Sequence, residues 1–301
     1  MLLKKIYLRY MEEFKSYGIL KSDAIAVNEE GIIADICLPE TVLGKQPDKP
    51  LLGFLLGQDT SADGREYYTI GPSYVQALLN TKANVRFLDY ENPTAQMKDC
   101  HGIILPGGNF DLPKEYFINN ENLGTGIGKR FLAYKNIIET AYQEHKPMLG
   151  ICAGAQMLGA VLGKMKMYLH IPQEVNGAVK HKPTEKGEVC MHKLKFFSET
   201  PIMDIMHINL SDTVQINSRH EQAMVLNAFQ ATPLVKMDIY AVCEADNIPE
   251  IWGNDKESIL CVQGHPEDLV ADDKGMQNLY NFVAERAQVY QKKSLIKRCK
   301  P

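Results

Sequence analysis

The chain has 301 residues, 45% hydrophobic and 23% charged, with a formal net charge of -4. That length can bury the core of one large α/β domain, and the composition excludes a collagenous or wholly disordered polymer. The balance gives no global basic field for nucleic acid or a membrane surface, and no apolar run reaches the roughly 18–20 residues that span a bilayer.

Met1–Tyr10 is interrupted by Lys4, Lys5 and Arg9, so no secretory leader is expected there and the expected location is cytoplasmic. Seven cysteines are scattered singly, with no Cys-x-x-Cys pair. Buried, reduced thiols fit that pattern better than a disulfide framework or a zinc knuckle.

At the N-terminus, Leu3, Tyr7, Tyr10, Met11, Phe14 and Tyr17 have helical spacing. Ala24–Val27 and Ile32–Leu38 flank Asn28-Glu29-Glu30-Gly31 and read as a hairpin. The polar stretch Gly44–Pro50, with two prolines, reads as a linker. Residues 1–49 are therefore expected to be an extension, 50–291 the main domain, and 292–301 a basic, frayed tail. Within the main domain, short apolar runs (Leu51–Gly57, Val85–Leu88, Gly102–Pro106, Pro147–Ile151) alternate with amphipathic segments (Ser73–Leu79, Arg130–His145). Alternation of that kind predicts βαβ units: a doubly wound, mostly parallel sheet with helices on both faces. The second half adds β-prone runs at Lys193–Phe197, Thr213–Ile216, Ile239–Val242 and Ile259–Val262, then a helix from about Asp273 to Gln291.

Four motifs carry the chemistry. Gly150-Ile151-Cys152-Ala153-Gly154 follows an apolar run and opens a small-residue helix. Gly-x-nucleophile-x-Gly at a strand-to-helix turn is a nucleophile elbow, where the helix N-terminus favours a thiolate and the Ala153 amide can hold an oxyanion. Gln263-Gly264-His265-Pro266-Glu267 follows the last β-prone run and supplies a base with an orienting carboxylate. Leu105-Pro106-Gly107-Gly108 ends an earlier strand, where a glycine amide can approach substrate as a second oxyanion donor. The fourth is the polar cluster Asn217-Ser218-Arg219-His220-Glu221-Gln222.

Together these blocks, in this order, resemble the class I glutamine amidotransferase superfamily. With His170-Ile171-Pro172, His181 and Ser218-x-His220-x-Gln222, the chain is most similar to the gamma-glutamyl hydrolase branch and its gamma-glutamyl-gamma-aminobutyrate hydrolase-like members. The resemblance covers about residues 50–290. It implies Cys152 as nucleophile, His265 as base and acid, Glu267 as its partner, and Gly108 and Ala153 as oxyanion donors. It also implies Gln156, Ser218, Arg219, His220, Gln222 and His181 around a small γ-glutamyl substrate, hydrolysed through a glutamyl thioester.

Two positions depart from the pattern. Gly264 stands where the family most often has Trp. Glu221 stands where these hydrolases usually have a second His, and a carboxylate there favours a leaving group that carries an amine.

Other readings compete. A glutaminase passing ammonia to a separate synthetase uses the same triad, and a catalytically silent binding module would keep only the fold. Small amidase and stress-protein domains share the elbow but take their histidine from the position occupied here by Ala153. No cofactor and no metal is expected: Cys190-Met191-His192 offers two ligands without a neighbouring pair to complete a tetrahedron. Gly124-x-Gly126-x-Gly128 follows no strand, so it is expected to be a flexible loop and no dinucleotide site. A homodimer is compatible with the sequence; nucleic acid and membrane are not expected partners.

Overall fold

The computed structural model describes residues 33–34, 42–44, 46–60, 66–108, 112–121, 127–185 and 188–298. The expected N-terminal helix, the first arm of the expected hairpin and the Gly124–Gly126 part of the glycine-rich loop lie outside these residues. The strands are β1 (Ile33–Ala34), β2 (Val42–Leu43), β3 (Leu51–Leu55), β4 (Gly57–Thr60), β5 (Glu66–Ile70), β6 (Asn84–Leu88), β7 (Gly102–Leu105) and β8 (Met148–Ile151). They continue with β9 (Met165–Tyr168), β10 (Cys190–Phe196), β11 (Gln215–Ser218), β12 (Ala223–Phe229), β13 (Asp238–Cys243), β14 (Pro249–Asn254) and β15 (Ile259–Val262).

Ten of these strands form the central sheet in the order β11-β10-β13-β14-β15-β8-β7-β3-β6-β2. Its centre, β15-β8-β7-β3-β6, is parallel. One side is extended by the antiparallel strands β14, β13, β10 and β11, and the opposite edge is closed by antiparallel β2. Smaller sheets are formed by β1-β5-β4 and by β12-β9. The Ile33–Ala34 part of the expected hairpin pairs with β5.

Strands β3, β7, β8 and β15 are apolar throughout because both of their faces are covered. Along β15, Leu260 and Val262 enter one core with Leu279, Tyr280 and Val283 of the C-terminal helix, while Ile259 and Cys261 enter the other. That second core holds Ile137 and Ile138 of helix Lys129–Gln143 and Met157 and Leu158 of helix Ala153–Val161. A residue-by-residue alternation thus feeds two layers, which makes the sheet doubly wound. Among the described residues, no helix is long and apolar enough to cross a membrane.

Two sequence expectations are corrected, and one strand, β14, has no counterpart among them. The last helix runs Lys274–Arg298, through most of the stretch expected to fray. β14 escapes a propensity reading because it opens with Pro249 and contains Glu250 and Gly253. The β4–β5 hairpin takes up part of the run expected to be one strand, Leu51–Gly57, and extends well beyond it.

Candidate active site

Three motif loops leave adjacent parallel strands at the same end. The register sets Val262 opposite Ile151 and Leu105 opposite Gly150, so Gly107-Gly108, Cys152 and His265 meet in one crevice beyond the carboxyl ends of the strands. Open α/β sheets place ligands there. Cys152 sits at φ 50°, ψ -111°, a backbone conformation that costs a non-glycine residue on the order of 1–3 kcal/mol. It is held by its amide donating to Val262 O at 2.8 Å and by its carbonyl accepting from Gln156 N at 3.0 Å. The flanking glycines are sterically required. A Cβ on Gly150 would lie 2.7 Å from Ala155 N, and one on Gly154 would collide with the Leu105 carbonyl oxygen.

His265 shares the cavity wall with Cys152 on one side and approaches Glu267 Oε1 with Nδ1 at 2.6 Å on the other. Glu267 is buried, with the Tyr280 hydroxyl 3.5 Å from Oε2 and Arg219 Nη2 3.4 Å from Oε1. Burial disfavours the imidazolium, but the Glu267 charge and Cys152 outweigh it and push His265 up to about 10. The geometry is that of a thiol–imidazole–carboxylate relay in which the carboxylate favours the imidazolium. Asn217 steadies the loop: its backbone and side-chain oxygens both accept from His265 N at 3.3 Å, and its amide donates to Asp268 at 2.8 Å.

The Pro106–Gly108 turn is braced from below by residues with no sequence signature. Gly107 N donates to the Tyr74 hydroxyl at 2.9 Å. Arg130 Nη2 donates to Gly107 O at 2.9 Å and to the Tyr134 hydroxyl at 3.1 Å, and Tyr134 donates to Pro106 O at 2.8 Å. Gly108 adopts φ 153°, and a Cβ there would overlap the Arg130 guanidinium. Arg130 thus occupies the space that a side chain at 108 would need.

A cavity of about 550 Å³ opens over this centre, lined among others by Gly108, Cys152, Ala153, Gln156, Arg219 and His265. His220 and Gln222 line it too. Two of the expected substrate residues do not: Ser218 is buried with its hydroxyl donating to His181 O at 2.6 Å, and His181 lies behind His220, Nδ1 to Nε2 3.3 Å. Gln156 is tied down by donating to Gln222 O at 2.9 Å and Gln263 Oε1 at 3.3 Å.

The wall also contains Leu169 and Lys182, which nothing local in the sequence marks. Glu221 is no isolated anion: Lys182 Nζ at 2.6 Å and His170 Nε2 at 2.7 Å flank it. Lys182 above all holds its carboxyl below the usual range.

Gly264 has a packing reason. A Cβ there would lie 2.6 Å from both Asn217 O and Ile216 Cγ1. Gly264→Ala is therefore expected to destabilise the fold by about 1–3 kcal/mol, read as a lower urea midpoint at unchanged slope. An unmoved midpoint would remove this steric account.

Known proteins place the chain. The curated Protein NtpR of Enterococcus hirae is 28% identical over 198 residues, 64% of this chain and 77% of that protein. Among solved structures, a Thermoplasma acidophilum protein described as part of a GMP synthase superposes with a TM-score of 0.51 at 14% identity, covering 82% of this chain and 98% of that one. A glutamine amidotransferase from Thermotoga maritima gives 0.49 at 16% identity over 80% of this chain and 98% of its own. The fold is class I glutamine amidotransferase-like. The profile of Peptidase C26 matches residues 56–267, and the chain belongs to the Peptidase C26 family.

Proposed function

We propose that the chain hydrolyses γ-glutamyl amide bonds, with Cys152 as nucleophile, His265 as general base and then acid, and Glu267 orienting the imidazole. Membership of Peptidase C26 supports cysteine-dependent amide hydrolysis in general; the γ-glutamyl substrate and the residue roles are inferred. The reading is carried by one observation, the Cys152–His265–Glu267 relay on the floor of a cavity that presents both Arg219 and Glu221.

In the acylation step the Cys152 sulfur, its proton passed to His265, attacks the γ-carbonyl carbon. The carbonyl π pair moves to oxygen, where the amides of Gly108 and Ala153 receive the charge. As the C–N bond breaks, His265 returns the proton to the leaving amine, and a glutamyl thioester remains. Water, deprotonated by His265, then attacks the thioester, the C–S bond breaks, and glutamate departs with Cys152 regenerated. In this reading Arg219 meets the substrate's α-carboxylate. It is already anchored by Asp268 at 2.9 Å, which limits the entropy lost on binding.

The test is glutamate release from glutamine, γ-glutamyl-aminobutyrate, γ-glutamyl-polyamines and γ-glutamyl peptides. Release from the γ-glutamyl amines is the expected result. Release from glutamine alone would replace the reading with a glutaminase that serves a separate synthetase, and silence across the panel would leave a binding module.

A further inference from the structure

Behind the cavity wall, three imidazoles and two carboxylates are packed together out of solvent. His181, His192, His220 and Glu250 are all buried, and their inward-facing atoms lie within 4.8 Å of one another. They come from four separate pieces of chain: the loop before β10, β10 itself, the loop after β11, and β14.

The outer nitrogens fix the tautomers. His192 Nε2 lies 3.1 Å from Lys180 O, and His220 Nδ1 lies 3.0 Å from Gln222 O. A carbonyl can only accept, so both nitrogens carry their proton there. His181 Nε2 lies 2.8 Å from Asp246 Oδ2, a carboxylate that also accepts the Val179 and Ile248 amides at 3.0 and 3.2 Å. That nitrogen is a donor too. In a neutral ring the inner nitrogen then carries the lone pair.

Those three lone pairs, His181 Nδ1, His192 Nδ1 and His220 Nε2, converge on Glu250 Oε1. The separations are 3.3 Å between His181 and His220, and 3.7, 2.9 and 3.6 Å from Glu250 to His181, His192 and His220. Glu250 Oε2 has no hydrogen-bond partner among the described residues. With all three rings neutral, four acceptors face one another with no donor between them. A tetrahedron with metal–nitrogen distances of about 2.0–2.1 Å has ligand–ligand edges of about 3.4 Å, close to these four separations.

We propose that His181, His192, His220 and Glu250 form a tetrahedral site for a divalent cation of the zinc type. The outer partners are those of a built metal site. Each ring hands its second N–H to a carbonyl or carboxylate, which fixes its orientation and raises its basicity. Asp246 beside His181 balances the charge left when one carboxylate meets a dication. All four positions are filled by protein, so the ion is structural and holds no hydrolytic water. It clamps the loop bearing Arg219, His220 and Gln222 against β14 and so fixes one wall of the cavity. From sequence, His192 lacked partners because its co-ligands lie on other elements.

Zinc analysis of the full chain, purified without chelator from zinc-supplemented medium, should give about one zinc per chain. Cobalt(II) added to the metal-stripped protein should give the intense visible d–d bands of tetrahedral coordination. Asp246→Asn keeps the shape and should weaken cobalt affinity by about 10–100-fold. His192→Phe should remove the site. If these variants fail to fold, the wild-type zinc content and cobalt spectrum decide alone. A folded wild-type chain with less than about a tenth of an equivalent of zinc and no cobalt bands would overturn the site. The four groups would then be a proton-linked polar cluster. Hydrolytic activity is not part of the test, so its outcome is independent of the reading of Cys152.

Discussion

Cys152→Ser is expected to reduce glutamate release from the preferred γ-glutamyl amide by at least about 10³-fold while leaving the fold intact. The serine oxygen fits the same elbow, whose shape is set by Gly150, Gly154 and the Val262 carbonyl, but its proton is far harder to remove than a thiol's. Iodoacetamide supplies an independent readout. Burial pushes Cys100 up to about 11 and Cys243 up to about 12, and holds Cys261 well above the usual thiol range. Those thiols stay neutral and enclosed near pH 7, whereas Cys152 lines the cavity beside a protonated His265. Alkylation located by peptide mass spectrometry should therefore fall on Cys152 before Cys100, Cys243 and Cys261, with activity lost in proportion. Unchanged turnover in Cys152→Ser would place the hydrolysis elsewhere in the chain.

What could be read in advance divides along a physical line. The elbow and His265-Pro266-Glu267 are contiguous, and their steric demands are written into adjacent residues: a Cβ at 150 or 154 strikes backbone a few positions away or on the neighbouring strand. The parallel centre of the sheet was legible for a similar reason, since strands buried on both faces must be apolar runs. The supports of the site left no local trace. Tyr74 beneath Gly107, Arg130 behind Gly108 and Lys182 beside Glu221 act across long sequence separations, and nothing in their own neighbourhoods distinguishes them from surface or core residues. Ser218 and His181 illustrate the converse. Both belong to motifs that resemble a binding loop, yet each turns inward to hold that loop. β14 was hidden by Glu250, a residue depleted from strands that is buried here because His192 meets it at 2.9 Å.

Glu267→Gln should separate the orienting function of the carboxylate from simple packing. The amide preserves volume beside Tyr280 and leaves Arg219 its 2.9 Å pairing with Asp268, so the loop has little reason to move. What changes is charge. Without the carboxylate, burial is opposed less strongly and the imidazolium is less favoured. The expected rate loss is about 10²–10⁴-fold, the range in which removing the third member of such a relay acts. The diagnostic result is the pH profile of acylation. In the wild type, loss of the proton that His265 must give to the leaving amine sets the alkaline limb near pH 10; in Glu267→Gln that limb moves to lower pH. Stability carries the same sign. A histidine raised from about 6.5 stabilises the fold fully below that value, and this contribution is lost as pH rises through about 10. The stability gap between wild type and Glu267→Gln should therefore be widest below neutral pH and narrow toward pH 10. A slower variant with an unmoved alkaline limb and a pH-independent gap would make Glu267 a packing residue, and the proton held on His265 would need another cause.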